Sequence, residues 1–140
     1  MKNKRILVVI DSLGYGGAER LVVSLLPYIE KYNYKFDVMV LFSDLSLKPE
    51  IELSGINVIT LNQDYADRWS VLRLFYYFRA AVVDKKYDII WGHLFFGNLY
   101  SGLYGIFCKS TKVIWTLHSP CYGVLNQKKF YHKPRQLFEK

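Results

Sequence analysis

One stretch near the start of the chain decides its fold: Ile6-Leu-Val-Val-Ile-Asp-Ser-Leu-Gly-Tyr-Gly-Gly-Ala-Glu-Arg20. Residues 6–10 are five consecutive apolar residues, which is typical of a parallel strand covered on both faces. Glycines follow at positions 14, 16 and 17, and they allow backbone conformations and close approaches that a Cβ would block. Apolar residues then recur at helical spacing, which predicts an amphipathic helix over residues 18–31. A strand, a glycine turn and a helix in this order are typical of an α/β domain that binds a ligand group.

The rest of the chain alternates strands with helices. Further strands are predicted at residues 36–42, 56–61, 87–91 and 112–117, and further helices at residues 47–53, 70–84 and 94–107. Ser70 is the expected N-cap of its helix. In the last helix Gly97, Ser101 and Gly105 stand four residues apart, so we expect it to lie close to the sheet. This alternation predicts an α/β fold with a Rossmann-like, doubly wound parallel sheet.

Length and composition limit the classes of protein to which this chain can belong. Its 140 residues suit one domain, and 51% hydrophobic residues supply a real core. The net charge of +7 fits an anionic partner, which includes nucleic acid, a phospholipid surface and a phosphorylated substrate. The basic residues are scattered, however, and no helix-turn-helix, RNP or zinc-finger pattern is present. We therefore expect no nucleic-acid partner.

The sequence predicts neither a secreted nor a membrane-spanning protein. The first apolar run is five residues long and ends at Asp11, which is too short for a signal peptide. The longest uncharged stretch, residues 94–108, has 15 residues, whereas a bilayer span needs about 20. The two cysteines, Cys108 and Cys121, lack metal-ligand spacing and are expected to be reduced cytosolic thiols. We predict a cytoplasmic protein that is soluble or peripheral to the inner face of the cell membrane.

The N-terminus of the first predicted helix is a candidate anion site, because its free N–H groups and partial positive charge attract phosphate or carboxylate. A P-loop is excluded, since no Gly-Lys-[Ser/Thr] follows the glycines. A dinucleotide fingerprint that starts at Gly14 would put its third glycine at Glu19, where a charged side chain obstructs helix packing. Neither of these two nucleotide-binding motifs explains the turn.

The remaining pattern is Asp11-Ser-Leu-x-x-Gly-Gly-Ala-Glu-Arg20. It closely resembles the first strand, loop and helix of the GT-B glycosyltransferases, in particular family 4 (group 1) of retaining, nucleotide-sugar-dependent enzymes. The resemblance implies two Rossmann-like lobes, with the acceptor largely on the N-terminal lobe and the nucleotide-sugar mostly on the C-terminal lobe. Two lobes do not fit in this length. We therefore predict that residues 1–140 form the N-terminal, acceptor-side lobe and that the nucleotide-sugar-binding lobe is absent from this chain.

The function implied by the resemblance is transfer of a sugar from a nucleotide-sugar to a glycan, lipid-linked or cell-envelope acceptor. The family requires no metal, and the sequence contains no Asp-x-Asp metal motif. The donor, the acceptor and the missing C-terminal lobe are the partners that the resemblance implies. We expect the chain alone not to turn over.

Two histidines follow predicted strands, at the edge where parallel sheets bind ligands. His118 lies in Trp115-Thr-Leu-His-Ser-Pro120, which resembles the fifth-strand Thr-x-His motif of the family. The resemblance implies that His118 is the catalytic histidine, which reaches the reacting sugar and the donor phosphates. His93 resembles the acceptor-side histidine, although Gly92 stands where the family often has Thr or Ser. Ser119 is a further acceptor-binding candidate.

The glycine turn and two charged residues complete the predicted site. The resemblance implies that Gly16 and Gly17 approach the donor phosphates from this lobe. We predict that Asp11 binds acceptor hydroxyls, although an aspartate after a strand also suits a turn or a cap; Asn98 is a weaker candidate for the same role. Arg135 in Arg135-x-x-x-Glu139 resembles a basic residue that binds a phosphorylated acceptor, but this spacing also suits a surface ion pair.

Two other classes of function remain open. A self-contained binding module would use the same edge for a phosphorylated small molecule. A subunit would instead complete an active site together with a separate chain. Residues 69–79 mix arginines with aromatic residues, so they suit either contact with an anionic membrane or a helix that packs its aromatic side chains on the sheet.

Overall fold

The computed structural model describes residues 4–118. Strands and helices alternate along this part of the chain, as predicted. The strands are β1 (Lys4–Ile10), β2 (Tyr34–Phe42), β3 (Asn57–Gln63), β4 (Ile89–His93) and β5 (Lys112–Thr116). The helices are α1 (Gly17–Glu30), α2 (Lys48–Leu53), α3 (Val71–Val82) and α4 (Leu94–Phe107), and a 3-10 turn spans Tyr65–Asp67. The α/β fold class is therefore confirmed.

The five strands form one parallel sheet in the order β3-β2-β1-β4-β5. Ile6 of β1 is in register with Phe36 of β2 on one side and with Ile89 of β4 on the other. The strand order reverses between β1 and β4, which is the switch point where open α/β sheets bind ligands. All five carboxyl ends lie at one edge, here called the carboxyl edge.

The sheet is covered on both faces, which explains the uninterrupted apolar run of β1. Its alternate residues Ile6, Val8 and Ile10 pack with α1 and α2, whereas Leu7 and Val9 pack with α3 and α4. Each of these five side chains is at most 6% exposed. A strand buried on both faces has no polar alternation, so the sequence pattern and the two cores agree.

The small residues of α4 bring this helix against the sheet, as predicted. A Cβ on Gly97 would lie 2.5 Å from the carbonyl oxygen of Val9 in β1, and a Cβ on Gly105 would lie 2.6 Å from Cγ2 of Val113 in β5. The Ser101 hydroxyl donates to the carbonyl oxygen of Gly97 at 2.6 Å. Helix α4 therefore crosses from β1 to β5 in close contact with both strands.

Helix α3 combines both arrangements that its sequence allowed. Leu74 and Phe78 are buried against the sheet and α4, whereas Tyr76 and Tyr77 face outward. Ser70 occupies the N-cap position but makes no side-chain cap hydrogen bond, so the expected capping contribution is missing. Within residues 4–118, the helices are too short or too polar to traverse a lipid bilayer.

Candidate functional site

Three of the predicted site segments meet at the carboxyl edge. The loop after β1 contains Asp11 and leads into α1, His93 is the last residue of β4, and His118 follows β5 by two positions. His93 is in register with Thr116 of β5, so the two histidines emerge from neighbouring strands. The topology thus brings together residues that are far apart in sequence.

The two histidines form a direct pair. Nδ1 of His93 lies 2.8 Å from Nε2 of His118, and the rings stack at 5.1 Å with an interplanar angle of 20°. His93 is only 2% exposed, whereas His118 is half-buried. Burial, followed by the charge of a protonated His118, lowers the pKa of His93 to about 4. His93 is therefore neutral at physiological pH.

Neighbouring side chains hold this pair in place. The Trp91 indole donates to Oγ1 of Thr116 at 2.6 Å, and its ring lies 4.7 Å from the His93 ring. The Asn98 side-chain amide donates to the carbonyl oxygen of Thr116 at 3.1 Å. Asn98 is 7% exposed, and this hydrogen bond ties α4 to β5. Contact of Asn98 with a sugar hydroxyl stays a prediction.

Two site residues were missed by the sequence reading, namely Trp91 and Thr116. Trp91 stands two positions before His93 on β4, and Thr116, the last residue of β5, stands two positions before His118. Side chains two positions apart in a strand share a face. This alternation was the signal that could have identified both as supports of the pair.

Strand β4 passes into α4 without a loop. His93 is both the last residue of β4 and the N-cap of α4, and Leu94 has a left-handed φ of 63°. This conformation is costly for a branched side chain, so the surrounding packing must enforce it. A Cβ on Gly92 would lie 2.7 Å from the Gly97 carbonyl oxygen and 2.9 Å from Cα of Asn98. The backbone of α4 therefore leaves no room for Thr or Ser before this histidine.

Asp11 is bound to the start of α4. Its carboxylate accepts hydrogen bonds from the backbone N–H groups of Gly97 at 2.7 Å and Phe96 at 3.3 Å. Burial raises the pKa of Asp11 to about 7, because it outweighs these two hydrogen bonds, and nearby Glu19 adds to the rise. Asp11 thus caps the start of α4 from the loop that follows β1. Its contact with acceptor hydroxyls stays a prediction.

The N-terminus of α1 has no side-chain cap, although the Glu19 carboxylate lies beside Gly16. Gly16 is the N-cap residue, and it satisfies none of the helix N–H groups through a side chain. A Cβ on Gly17 would meet no atom within 4 Å. Among the described glycines only Gly55 has a left-handed φ, so the turn at Gly14, Gly16 and Gly17 does not need glycine for its backbone conformation.

The crowding that remains in this turn comes from flexible carboxylates. A Cβ on Gly14 would contact the Asp44 side chain, and one on Gly16 would contact the Glu19 side chain. Ser12 donates its hydroxyl to Glu19 at 3.2 Å. The space above Gly17 is accordingly available for an anion that approaches the positive end of α1.

Aromatic side chains line the same edge on the β3 side. The Arg68 guanidinium lies 4.5 Å from the Tyr65 ring, and the Trp69 ring lies 5.5 Å from the Phe96 ring. Tyr65 is 50% exposed and Trp69 is 58% exposed. The predicted acceptor residues Ser119 and Arg135 lie outside residues 4–118.

The sequence model of Glycosyltransferase Family 4 matches residues 15–140, which include His93, His118 and the open start of α1. The chain belongs to Glycosyltransferase Family 4. The resemblance drawn from residues 11–20 is confirmed, although the matched region begins after Asp11. No curated protein sequence matches this family 4 chain significantly.

Solved structures show where else this fold occurs. A glycosyltransferase from Rickettsia africae ESF-5 superposes with a TM-score of 0.68 at 20% identity, over 98% of this chain and 35% of that one. CalG4, the calicheamicin glycosyltransferase, gives 0.60 at 12% identity, over 96% and 38% of the two chains. A Listeria monocytogenes protein assigned provisionally as a UDP-N-acetylglucosamine 2-epimerase gives 0.59 at 12% identity, over 83% and 32%.

These likenesses establish the fold. They agree with a GT-B lobe, while the epimerase shows that the fold by itself does not fix the chemistry. The family 4 chain spans about a third of the length of each of these structures.

Proposed function

We propose that the protein transfers a sugar from a nucleotide-sugar to a glycan, lipid-linked or cell-envelope acceptor with retention of the anomeric configuration. The observation that carries this proposal is the His93–His118 pair at the carboxyl edge. It lies at the edge that also holds the open start of α1, in a chain that belongs to Glycosyltransferase Family 4. In this proposal residues 4–118 form the acceptor-side half of the active site.

Negative charge on the departing diphosphate is the main electrostatic demand of such a reaction. The first N–H groups of α1 at Gly17, Ala18 and Glu19 have no intrahelical partner, so they are donors for a phosphate oxygen. Gly17 presents no side chain to keep that phosphate away. We assign Gly16 and Gly17 to the donor phosphates on these grounds.

The histidine pair supplies a second positive group. Burial keeps His93 neutral, so its Nδ1 is able to accept a hydrogen bond from the Nε2–H of a protonated His118. The Nδ1–H of His118 is then left for a phosphate or a sugar oxygen. An adjacent diphosphate would favour the charged form of His118. His118 is thus the residue to which we assign transition-state stabilisation, with His93 as the group that holds it.

We place the nucleotide-sugar mainly on a second α/β lobe that is absent from this chain, and we expect no turnover by the chain alone. We propose metal-independent transfer in the cytoplasm, without a nucleic-acid partner. Asp11, His93, Ser119 and Arg135 stay our candidates for acceptor contact.

A turnover assay tests the proposal. The protein encoded by the complete reading frame is incubated with a panel of UDP-, GDP-, ADP- and dTDP-sugars, and release of the nucleoside diphosphate is measured. His118→Ala should lower the rate by at least about 100-fold. Lys112→Ala is the matched control, because Lys112 is exposed at the far end of β5, the strand that leads to His118.

The outcomes of this assay separate the candidate functions. A rate unchanged by His118→Ala would contradict the role of the histidine, and turnover of none of the donors would contradict the transferase proposal. Tight binding of a sugar phosphate by the chain alone, together with no turnover by the complete protein, would favour the binding module. Proton NMR of the new glycosidic linkage tests retention separately, since an inverted anomer would contradict it.

A further inference from the structure

Helix α3 presents an outward surface on which exposed apolar side chains stand beside arginines. Leu72 is 87% exposed, Tyr76 is 69% exposed and Tyr77 is 43% exposed, while Arg73 and Arg79 are exposed beside them. These five residues are here called the α3 outer face. The opposite side of the helix is fully used, because Leu74, Phe78 and Val82 are buried in the core. The exposed apolar groups are therefore not left over from incomplete packing on the sheet.

Charge is divided between the two faces of the domain. On one face, α1 and α2 carry four glutamates against one arginine and one lysine. On the other face, α3 carries two arginines and no carboxylate, and α4 carries no charged residue at all. Helices α3 and α4 thus carry no carboxylate of their own, whereas α1 and α2 are acidic. Such a surface complements a partner that is apolar and negatively charged together.

Residues on either side of α3 extend the same character. Trp69 is 58% exposed just before the helix, with Arg68 5.9 Å from its ring. Lys85 and Lys86 follow the helix, together with the exposed Asp84. One carboxylate close to the face is already occupied, because Asp67 pairs with Arg73 at 2.7 Å.

We propose that the α3 outer face binds the surface of an anionic bilayer. Tyrosine and tryptophan side chains have an apolar ring and a polar end, which suits them to the headgroup region of a membrane. Leu72 inserts among the acyl chains, and the arginines pair with lipid phosphates. A helix of 12 residues is too short to span a bilayer, which needs about 20, so α3 lies in the plane of the surface.

The position of α3 gives this contact a consequence for the site. Trp69 packs against Phe96, whose backbone N–H donates to Asp11 at the carboxyl edge. A bilayer on the α3 outer face would therefore lie beside the edge where we place the acceptor. Binding of the bilayer itself does not depend on transferase chemistry, so it is tested separately from turnover.

Vesicle flotation tests the proposal directly. The chain is mixed with vesicles of phosphatidylcholine alone or of phosphatidylcholine with phosphatidylglycerol, at low and at high salt. We expect flotation with the anionic vesicles and at least roughly tenfold weaker binding when either the anionic lipid is omitted or the salt is raised. Failure to float with anionic vesicles at low salt would overturn the proposal. Vesicle binding whose strength changes with neither the lipid charge nor the salt concentration would also overturn it.

Matched variants locate the contact. The double variant Leu72→Ser with Tyr76→Ser should lose at least roughly tenfold in vesicle affinity. Its control is Leu53→Ser with Tyr28→Ser, because Leu53 is 88% exposed and Tyr28 is 66% exposed on the other face of the sheet. Equal losses in both double variants would overturn the assignment to α3. Circular dichroism of each variant verifies that the fold is retained.

A second experiment uses the native Trp69 beside the α3 outer face as a fluorescent probe. Brominated lipids should quench the fluorescence of Trp69, and Trp69→Phe should remove the quenched component while leaving the signal of Trp91 and Trp115. Quenching that survives Trp69→Phe unchanged would contradict the proposed orientation. The parent chain could instead form a soluble dimer and bind no vesicles, while the double variant Leu72→Ser with Tyr76→Ser stays monomeric. That result would identify a second copy of the chain as the partner of the α3 outer face, and it would overturn the membrane proposal.

Discussion

At the residue scale, the chemistry of the site depends on two groups whose pKa values are moved by burial in opposite directions. His93 has its pKa lowered to about 4, and Asp11 has its pKa raised to about 7. Both shifts favour the neutral form. Near pH 7 His93 is therefore neutral, whereas Asp11 is about half ionised.

His93 should titrate far below an ordinary histidine. We expect its Cε1–H NMR signal to titrate near pH 4 in the native protein. His118→Ala should raise this pKa only part of the way toward 6.5, because burial is the larger cause and the neighbouring charge the smaller one. Titration of His93 near 6.5 in the unmodified chain would contradict the buried position that we describe.

The same shift has a consequence for stability. The folded pKa of His93 is lower than the unfolded one, so the unfolded state binds more protons between pH 4 and 6.5. The contribution of neutral His93 is present above pH 6.5 and is lost as the pH falls toward 4. At 1.36 kcal/mol for each pKa unit, this loss reaches about 3 kcal/mol.

Asp11 should give the opposite slope. Its folded pKa lies above the unfolded value of 3.8, so its contribution to stability is present at low pH and is lost as the pH rises through about 7. Asp11→Asn removes this titration, and the variant should gain stability relative to the native chain between pH 5 and 8. Urea unfolding of both proteins across this range measures the difference.

A matched control for this experiment is Asp64→Asn. Asp64 also accepts a backbone N–H, from Ala66 at 2.8 Å, but it is exposed. Its substitution should change stability by a nearly constant amount across the pH range. A difference curve for Asp11→Asn as flat as that of Asp64→Asn would show that burial does not shift the carboxyl.

At the element scale, α4 is the helix that the site depends on most. It starts at the histidine pair, receives the Asp11 cap and holds β5 through Asn98. Its closeness to β1 depends on Gly97, where only a hydrogen fits between the helix and the Val9 carbonyl. The site is thus as sensitive to the packing of α4 as to its own side chains.

Two glycine substitutions should have opposite effects on stability. Gly97→Ala should destabilise the chain by about 2 kcal/mol, because the new methyl group overlaps the backbone of β1. Gly17→Ala should stabilise it by about 0.5 kcal/mol, because the position is helical and open. Thermal unfolding of both variants measures these changes.

Gly17→Ala should lower activity although it raises the stability of the chain. In the protein encoded by the complete reading frame, Gly17→Ala should lower donor turnover, since the methyl group occupies the space that we assign to the donor phosphate. A variant that is both more stable and fully active would contradict that assignment. A Gly97→Ala chain as stable as the parent would contradict the close packing of α4.

Local patterns predicted the elements but not the contacts between distant ones. The apolar run of residues 6–10 and the small residues of α4 define strands, helices and even the close approach of α4 from sequence alone. The capping of α4 by Asp11 could not be predicted, because Asp11 is 85 positions before Phe96 and 86 positions before Gly97 in the sequence. The hydrogen bond from Asn98 to Thr116 could not be predicted for the same reason, since Thr116 is on another strand.

Local sequence patterns also did not predict the direct connection between β4 and α4. A branched residue such as Leu94 rarely adopts a left-handed φ, so nothing in the sequence indicated a strand that passes into a helix without a loop. Likewise, Gly92 looked like an exception to the family pattern. The structure shows that the backbone of α4 occupies the position of its missing side chain.

At the scale of the whole molecule, the parallel sheet explains why residues from separate segments meet. Every strand of the described sheet ends at the carboxyl edge, which collects the loop after β1, His93 and His118. The same arrangement leaves the α3 outer face and the carboxyl edge side by side. A lipid-linked acceptor held at the membrane surface would reach the site along this side of the domain.

The central claim is that a nucleotide-sugar binds at the carboxyl edge against the start of α1, and hydrogen exchange tests it most directly. The N–H groups of Gly17, Ala18 and Glu19 lack intrahelical partners, so they exchange readily unless a ligand accepts from them. Exchange is measured by mass spectrometry on the protein encoded by the complete reading frame, with and without a saturating donor. We predict slower exchange in residues 14–20 and no change in residues 83–88 at the opposite edge. Donor binding that leaves residues 14–20 unprotected would contradict the account.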